Sequence, residues 1–198
     1  MDSSNPYQAP QAEIAPQVEQ GEALFYVVSS RKFWILFVAT SGFYGLYWFY
    51  KQWATYKAKT GEGMWPVMRA WFNIFFTHNL FGQFESGARA AGAKDVASLT
   101  GFATLCVVLS ITENATGRLS AKSIGSPYTD LVQLLVSPII GFCLWKAQLV
   151  ANVACGDPEG EQNSNLTAAN WVWIVIGALF WLMVFLGLAM MFGWVEGE

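Results

Sequence analysis

The chain has 198 residues, 54% of them hydrophobic and 16% aromatic, and only 13% charged. A soluble domain carries about 25% charged residues, so the composition points away from an ordinary water-soluble domain. The formal charge of −3 gives no basic surface for nucleic acid. Apolar residues run continuously instead of alternating, which favours helices over a transmembrane barrel. These features predict an all-α integral membrane helical bundle of about five helices, with three or more full spans. The lipid bilayer is then the first partner, with other membrane proteins or a second copy as further ones.

Residues 1–22 hold Pro6, Pro10 and Pro16 among Gln, Ala and Glu. There is no basic start followed by an apolar core, so a cleavable signal peptide is not expected. The segment is too polar to offset its ordering entropy and reads as a flexible tail. Its Asn-Pro-Tyr-x-x-Pro opening resembles tails on many small bacterial membrane proteins. Residues 23–198 form the membrane domain.

Residues 33–51, FWILFVATSGFYGLYWFYK, follow Arg31 and Lys32 and precede Lys57 and Lys59. A full crossing needs about 20 residues, so this stretch just spans if it runs straight. The alternative is a re-entrant hairpin that bends at the Thr40, Ser41, Gly42 break and returns to the side it entered. Tyr44, Tyr47, Trp48, Tyr50, Trp53 and Tyr56 crowd its second half, and such rings favour the headgroup level. Gly42, Tyr44, Tyr47, Trp48, Phe49, Tyr50 and Lys51 fit a Gly-x-Tyr-x-x-Tyr-Trp-aromatic-Tyr-Lys pattern. In this the chain resembles a family of uncharacterised bacterial multi-pass membrane proteins, of the "domain of unknown function" kind. Looser similarity extends to Pro66 through Ala70 and to Gly156-Asp157-Pro158. The resemblance implies the cytoplasmic membrane of a bacterium and brings no catalytic residue with it.

After a turn at 60–65, Pro66 suits the first turn of a helix over residues 66–90. Arg69, Asn73, His78, Asn79, Gln83 and Glu85 interrupt that helix, while Trp71, Ile74, Phe75 and Phe81 approximate a helical stripe. It can lie in the interface with its aromatic face down or cross with its polar residues hidden. A third helix is predicted over 95–112, closed by Glu113, Asn114 and Gly117, with a polar loop over 113–128. A fourth, over 129–153, contains Pro138, which should bend it, and a Ser137-to-Gly141 step that permits close helix approach. The acidic loop 156–165 lacks the glycine and glutamate positions of an EF-hand. Thr167 or Asn170 can cap the last helix, which runs uncharged over 171–194 and is the clearest span.

No nucleotide, nucleophile-elbow or zinc-protease motif is present, and no cofactor or metal is expected. The three cysteines, Cys106, Cys143 and Cys155, form no Cys-x-x-Cys pair and read as packing residues. His78 is the single histidine. Arg69, Asn73, His78 and Glu85 are the best catalytic candidates, but Arg69 and Glu85 lie about 160° apart around an ideal helix. Lys146 is an ionisable group inside a span and so a candidate functional residue. It can instead snorkel to the interface or pair with Glu85 or Glu113. Gln148 and Asn152 would extend a polar path from it. The leading expectation is a non-enzymatic scaffold or accessory subunit. The alternatives are a small transporter or channel subunit using Lys146, Gln148 and Asn152, and a membrane enzyme acting on lipid.

The placement of basic residues bears on topology. If residues 33–50 and 66–90 both cross, four basic residues face five and no orientation signal results. If neither crosses fully, the eight from Arg31 to Lys94 share one side and only Arg118 and Lys122 lie opposite. The positive-inside tendency then places the eight in the cytoplasm.

Overall fold

The computed structural model describes residues 23–191, so the predicted tail over 1–22 and the end of the last helix lie outside the described residues. Seven α-helices follow in order: α1 (Ser30–Ala39), α2 (Tyr44–Thr60), α3 (Pro66–Trp71), α4 (Asn73–Ala90), α5 (Thr100–Ser120), α6 (Tyr128–Ala154) and α7 (Ala168–Met191), with one 3-10 turn at Glu161–Asn163. There is no strand among the described residues. Two of these helices, α6 and α7, are long and apolar enough to cross a membrane.

The stretch over 33–51 is a helical hairpin, as its Thr-Ser-Gly break allows. Phe33 packs edge-on to Tyr44 at 5.7 Å, and Tyr26 to Tyr47 at 6.5 Å, so α1 and α2 run antiparallel. At the tip, Ser41 and Gly42 take φ values of +51° and +88°. Glycine adopts such an angle without strain; serine does so at a cost. The Thr40 hydroxyl joins the two helices. It donates to Leu36 O and accepts from Tyr44 N, both at 2.8 Å. The backbone N–H groups of Ser41, Gly42 and Phe43 bond to the Val38, Phe37 and Thr40 carbonyls.

The tip is covered by both candidate spans. Ser137 of α6 lies against Gly42, and Gly177 of α7 against Ala39. A Cβ on Gly177 would stand 1.8 Å from Ala39 O, so only glycine permits this crossing. Trp181 Nε1 donates to Val38 O at 2.8 Å beside it. One turn deeper, Phe37 occupies the surface that Gly141 leaves free, at 2.6 Å from where a Cβ would be. The small-residue step on α6 is thus a close helix contact, as its spacing predicts. Thr167 and Asn170 cap α7 reciprocally, Thr167 Oγ1 accepting from Asn170 N and Asn170 Oδ1 from Thr167 N.

Two boundaries depart from the sequence expectation. The helix predicted over 66–90 is broken at Phe72 (φ −99°, ψ 38°) into α3 and α4. Neither proline nor glycine marks the break, which leaves Trp65, Trp71 and Phe75 69–78% exposed while Arg69 folds beneath, 4.4 Å from the Trp53 ring and 5.3 Å from Phe76. The helix predicted over 95–112 instead runs from Thr100 to Ser120. The Glu113-Asn114 pair does not end it because packing against α6 continues past it, and Asn114 and Thr116 bond back to their own helix.

Candidate functional site

The core is organised around a segment with no regular structure. Residues 24–29 lead into α1 without regular structure, with Phe25 and Val28 fully buried. Phe25 stacks on Tyr56 at 5.8 Å and meets Phe84 edge-on at 4.8 Å. A buried segment outside helix or sheet must still pair its backbone groups, because unpaired ones are costly. Here side chains supply the partners. Gln52 Oε1 accepts from Tyr26 N and its Nε2 donates to Tyr26 O, both at 3.0 Å. Asn152 does the same for Val28, with Oδ1 accepting at 3.3 Å and Nδ2 donating at 3.0 Å. Gln148 Nε2 also donates to Tyr26 O, Asn163 Nδ2 to Val27 O, and Cys155 Sγ accepts from Phe25 N.

The amides are joined to each other. Gln148 Oε1 accepts from Gln52 Nε2 at 2.9 Å and from the Trp48 indole, and Gln148 Nε2 donates to Asn152 Oδ1 at 2.6 Å. All four side chains are 0–1% exposed. Gln148 and Asn152 lie four apart on α6, so one helix face presents both. They form a clasp on the backbone of residues 24–29.

A second anchor lies beside it. Lys32, in the first turn of α1 and 3% exposed, donates to Asn163 Oδ1 at 2.6 Å and to Asn165 O at 2.7 Å. Both acceptors are neutral, and burial holds the ammonium below the usual lysine range. The loop over 156–165 is thereby tied to the hairpin base. In that loop Asp157 accepts from Glu161 N and Gln162 N, so its carboxylate closes a turn. No group of three or more His, Cys, Asp or Glu residues is placed to hold a metal among the described residues.

The other candidates are dispersed. His78 is exposed and lies 3.1 Å from Thr104 Oγ1. Glu85 pairs with Arg89 at 2.9 Å and accepts from Leu99 N at 2.6 Å, so it staples the start of α5 to α4. Asn73 bonds to Ala70 O across the α3–α4 break. Arg69 stacks on aromatic rings, and no two of Arg69, His78 and Glu85 share a hydrogen bond or ion pair. Lys146 is half-buried, its ammonium 4.9 Å from the Trp145 ring and 5.4 Å from Phe142. Among the described residues it pairs with neither Glu85 nor Glu113, the carboxylate partners its sequence position suggests. All three cysteines are free, and burial raises the Cys155 thiol.

An apolar groove of about 600 Å³ lies between α1, α2, α3 and the start of α7, with Leu36, Phe43, Tyr47, Val67, Trp71 and Trp173 among its walls. Sequence reasoning did not single out Gln52 or Asn163, and read Trp48 only as an interfacial and signature aromatic and Lys32 only as a basic flank. An amide or lysine beside an aromatic run has no pattern that separates a buried clasp from a wet helix face. No family model matches the chain, and no curated protein or solved structure matches it.

Proposed function

We propose that the chain is a non-enzymatic scaffold or accessory subunit of a bacterial cytoplasmic membrane, in which α5, α6 and α7 cross the bilayer and the α1–α2 hairpin enters from the cytoplasmic side and returns. The observation that carries the reading is α7. It is apolar along its whole length, 6% of its most apolar window is buried, and it is held chiefly by its crossing with α1. A helix hydrophobic all round belongs in lipid or against other spans. The exposed Trp65, Trp71 and Phe75 on α3 and α4 match an interfacial anchor, and the groove beside them opens toward the same lipid. The buried clasp supports the same reading, because its amides are occupied in holding backbone.

The test is site-specific photo-crosslinking from α7 in native membranes, with the probe at Phe185, Val175 or Met183, which stand about 80° apart in turn around the helix and are each more than half exposed. A scaffold yields a discrete protein adduct from one face of the helix. Adducts to lipid alone from all three positions would refute it.

A further inference from the structure

Between α5 and α6 the facing residues are polar at three successive levels. At the Tyr128 end, the Ser120 hydroxyl donates to Asp130. One turn deeper, Gly117 lies against Gln133, whose Oε1 is 3.3 Å from where a Cβ on Gly117 would be. Deepest, the register set by the pairs 120/130 and 117/133 continues to Glu113 and Ser137, which it sets opposite each other, with Glu113 half-buried. Residues 113, 117 and 120, and residues 130, 133 and 137, recur at spacings of three and four, so each set forms one helix face. The seam then stops: past Ser137, Gly141 is pressed against Phe37, and Cys143 and Leu144 are buried.

Ser137 also touches the hairpin tip, its Oγ lying 3.0 Å from where a Cβ on Gly42 would be. It is nine residues into α6, about 14 Å from that end of the helix, which is inside a hydrocarbon layer about 30 Å thick if α5 and α6 cross it. Among the described residues no cation answers Glu113 at this depth. The α1–α2 hairpin has no charged residue between Phe33 and Tyr50, α6 has none between Asp130 and Lys146, and α7 has none from Ala168 to Met191. On α5, Arg118 is exposed and about 140° around the helix from Glu113. On α4, His78 faces Thr104, more than two turns below. A carboxylate so placed bears a heavy desolvation cost, which protonation removes.

We propose that Glu113 is a proton-binding site within the bilayer, reached from water through the α5–α6 seam, with Ser137 as the positioning residue that joins it to the hairpin tip. This rests on the reading that α5 and α6 cross the membrane. A proton from the aqueous end bonds to a carboxylate oxygen and neutralises it. On ionisation it leaves by the same seam, and the Ser137 O–H donates to the carboxylate.

The test uses the full chain in phospholipid vesicles and two carbodiimides, one lipid-soluble and one water-soluble. A protonated carboxylic acid adds across a carbodiimide and rearranges to a stable N-acylurea, with no group lost, so mass mapping locates the site. The lipid-soluble reagent is expected to modify Glu113 in preference to Asp130, with modification falling as pH rises and absent in Glu113→Gln. In Ser137→Ala the fall moves upward by about one pH unit, because a hydrogen bond to the charged form is lost. Modification by the water-soluble reagent as readily as Asp130 would put Glu113 in water and overturn the proposal. So would protection by sodium at constant pH, which marks a metal-cation site, or no modification by either reagent. Labelling of Ser123→Cys from the opposite face to Lys59→Cys tests the crossing separately, so a failure of the proton site is distinguishable from a failure of the membrane reading.

Discussion

Gln148 and Lys146 are two residues apart on α6, yet their environments make opposite demands. Gln148 is 1% exposed and completes the hydrogen bonding of the Trp48 indole. Gln148→Leu leaves that N–H buried without a partner, and a stranded buried group costs about 1–3 kcal/mol. The Tyr26 carbonyl keeps only its Gln52 donor, which adds to the loss. Lys146 is half-buried over two rings, and a contact of that kind contributes about 0.5–1 kcal/mol. Lys146→Met retains the stem and its packing, so its cost stays under about 1 kcal/mol. Thermal unfolding in detergent, followed by tryptophan fluorescence, is expected to show a clear fall for Gln148→Leu and a small one for Lys146→Met. Equal falls would mean that the clasp does not hold residues 24–29.

At the level of helices, what was legible in the sequence and what was not have separate physical causes. The Thr40, Ser41, Gly42 break announces the hairpin because positive φ and a hydroxyl bridge are local properties. The run over 171–194 announces α7 because continuous apolarity needs no context. Segment 24–29 is not legible, since a segment paired to side chains has no partner strand and no period. Glu113 reads as a loop residue because Glu-Asn followed by Gly resembles a helix end, and only the packing of α6 shows the helix continuing. Gly141 was legible as a contact residue through its spacing from Ser137, although the partner, Phe37, was not. Gly141→Leu forces a side chain onto the Phe37 ring, where a Cβ alone would stand 2.6 Å from it. Overpacking of this kind costs about 1–3 kcal/mol. Leu135→Ile changes a residue that is 68% exposed and should stay within about 0.5 kcal/mol. Comparing the folded yields of the two variants in detergent checks this, and equal tolerance would show that Gly141 is not wedged against α1.

At the scale of the molecule, the hairpin sets where the charges fall. Lys32 is at its base, held by Asn163 and Asn165, and Lys51 lies 5.5 Å from the Tyr26 ring at the same end. Lys57 donates to Met64 O beyond the foot of α2. Arg118 and Lys122 lie at the far end of α5, beside the turn into α6. On the proposed reading, with a returning hairpin, an interfacial α3 and a crossing α5, the eight basic residues from Arg31 to Lys94 would fall on one side and these two on the other. The positive-inside tendency would then orient the larger set toward the cytoplasm. Accessibility labelling tests this in a background free of native cysteines. Cys106 and Cys143 are buried among apolar side chains and suit alanine. Cys155 accepts from Phe25 N, so Cys155→Ser preserves an acceptor there. In that background Lys59→Cys should react with a membrane-impermeant maleimide only after the cytoplasmic face is opened, and Ser123→Cys in intact cells. Reaction of both from one face would mean that α5 does not cross. The hairpin would then stand as a fold without the orientation assigned to it, and the eight-to-two division of charge would lose its membrane between the two sets.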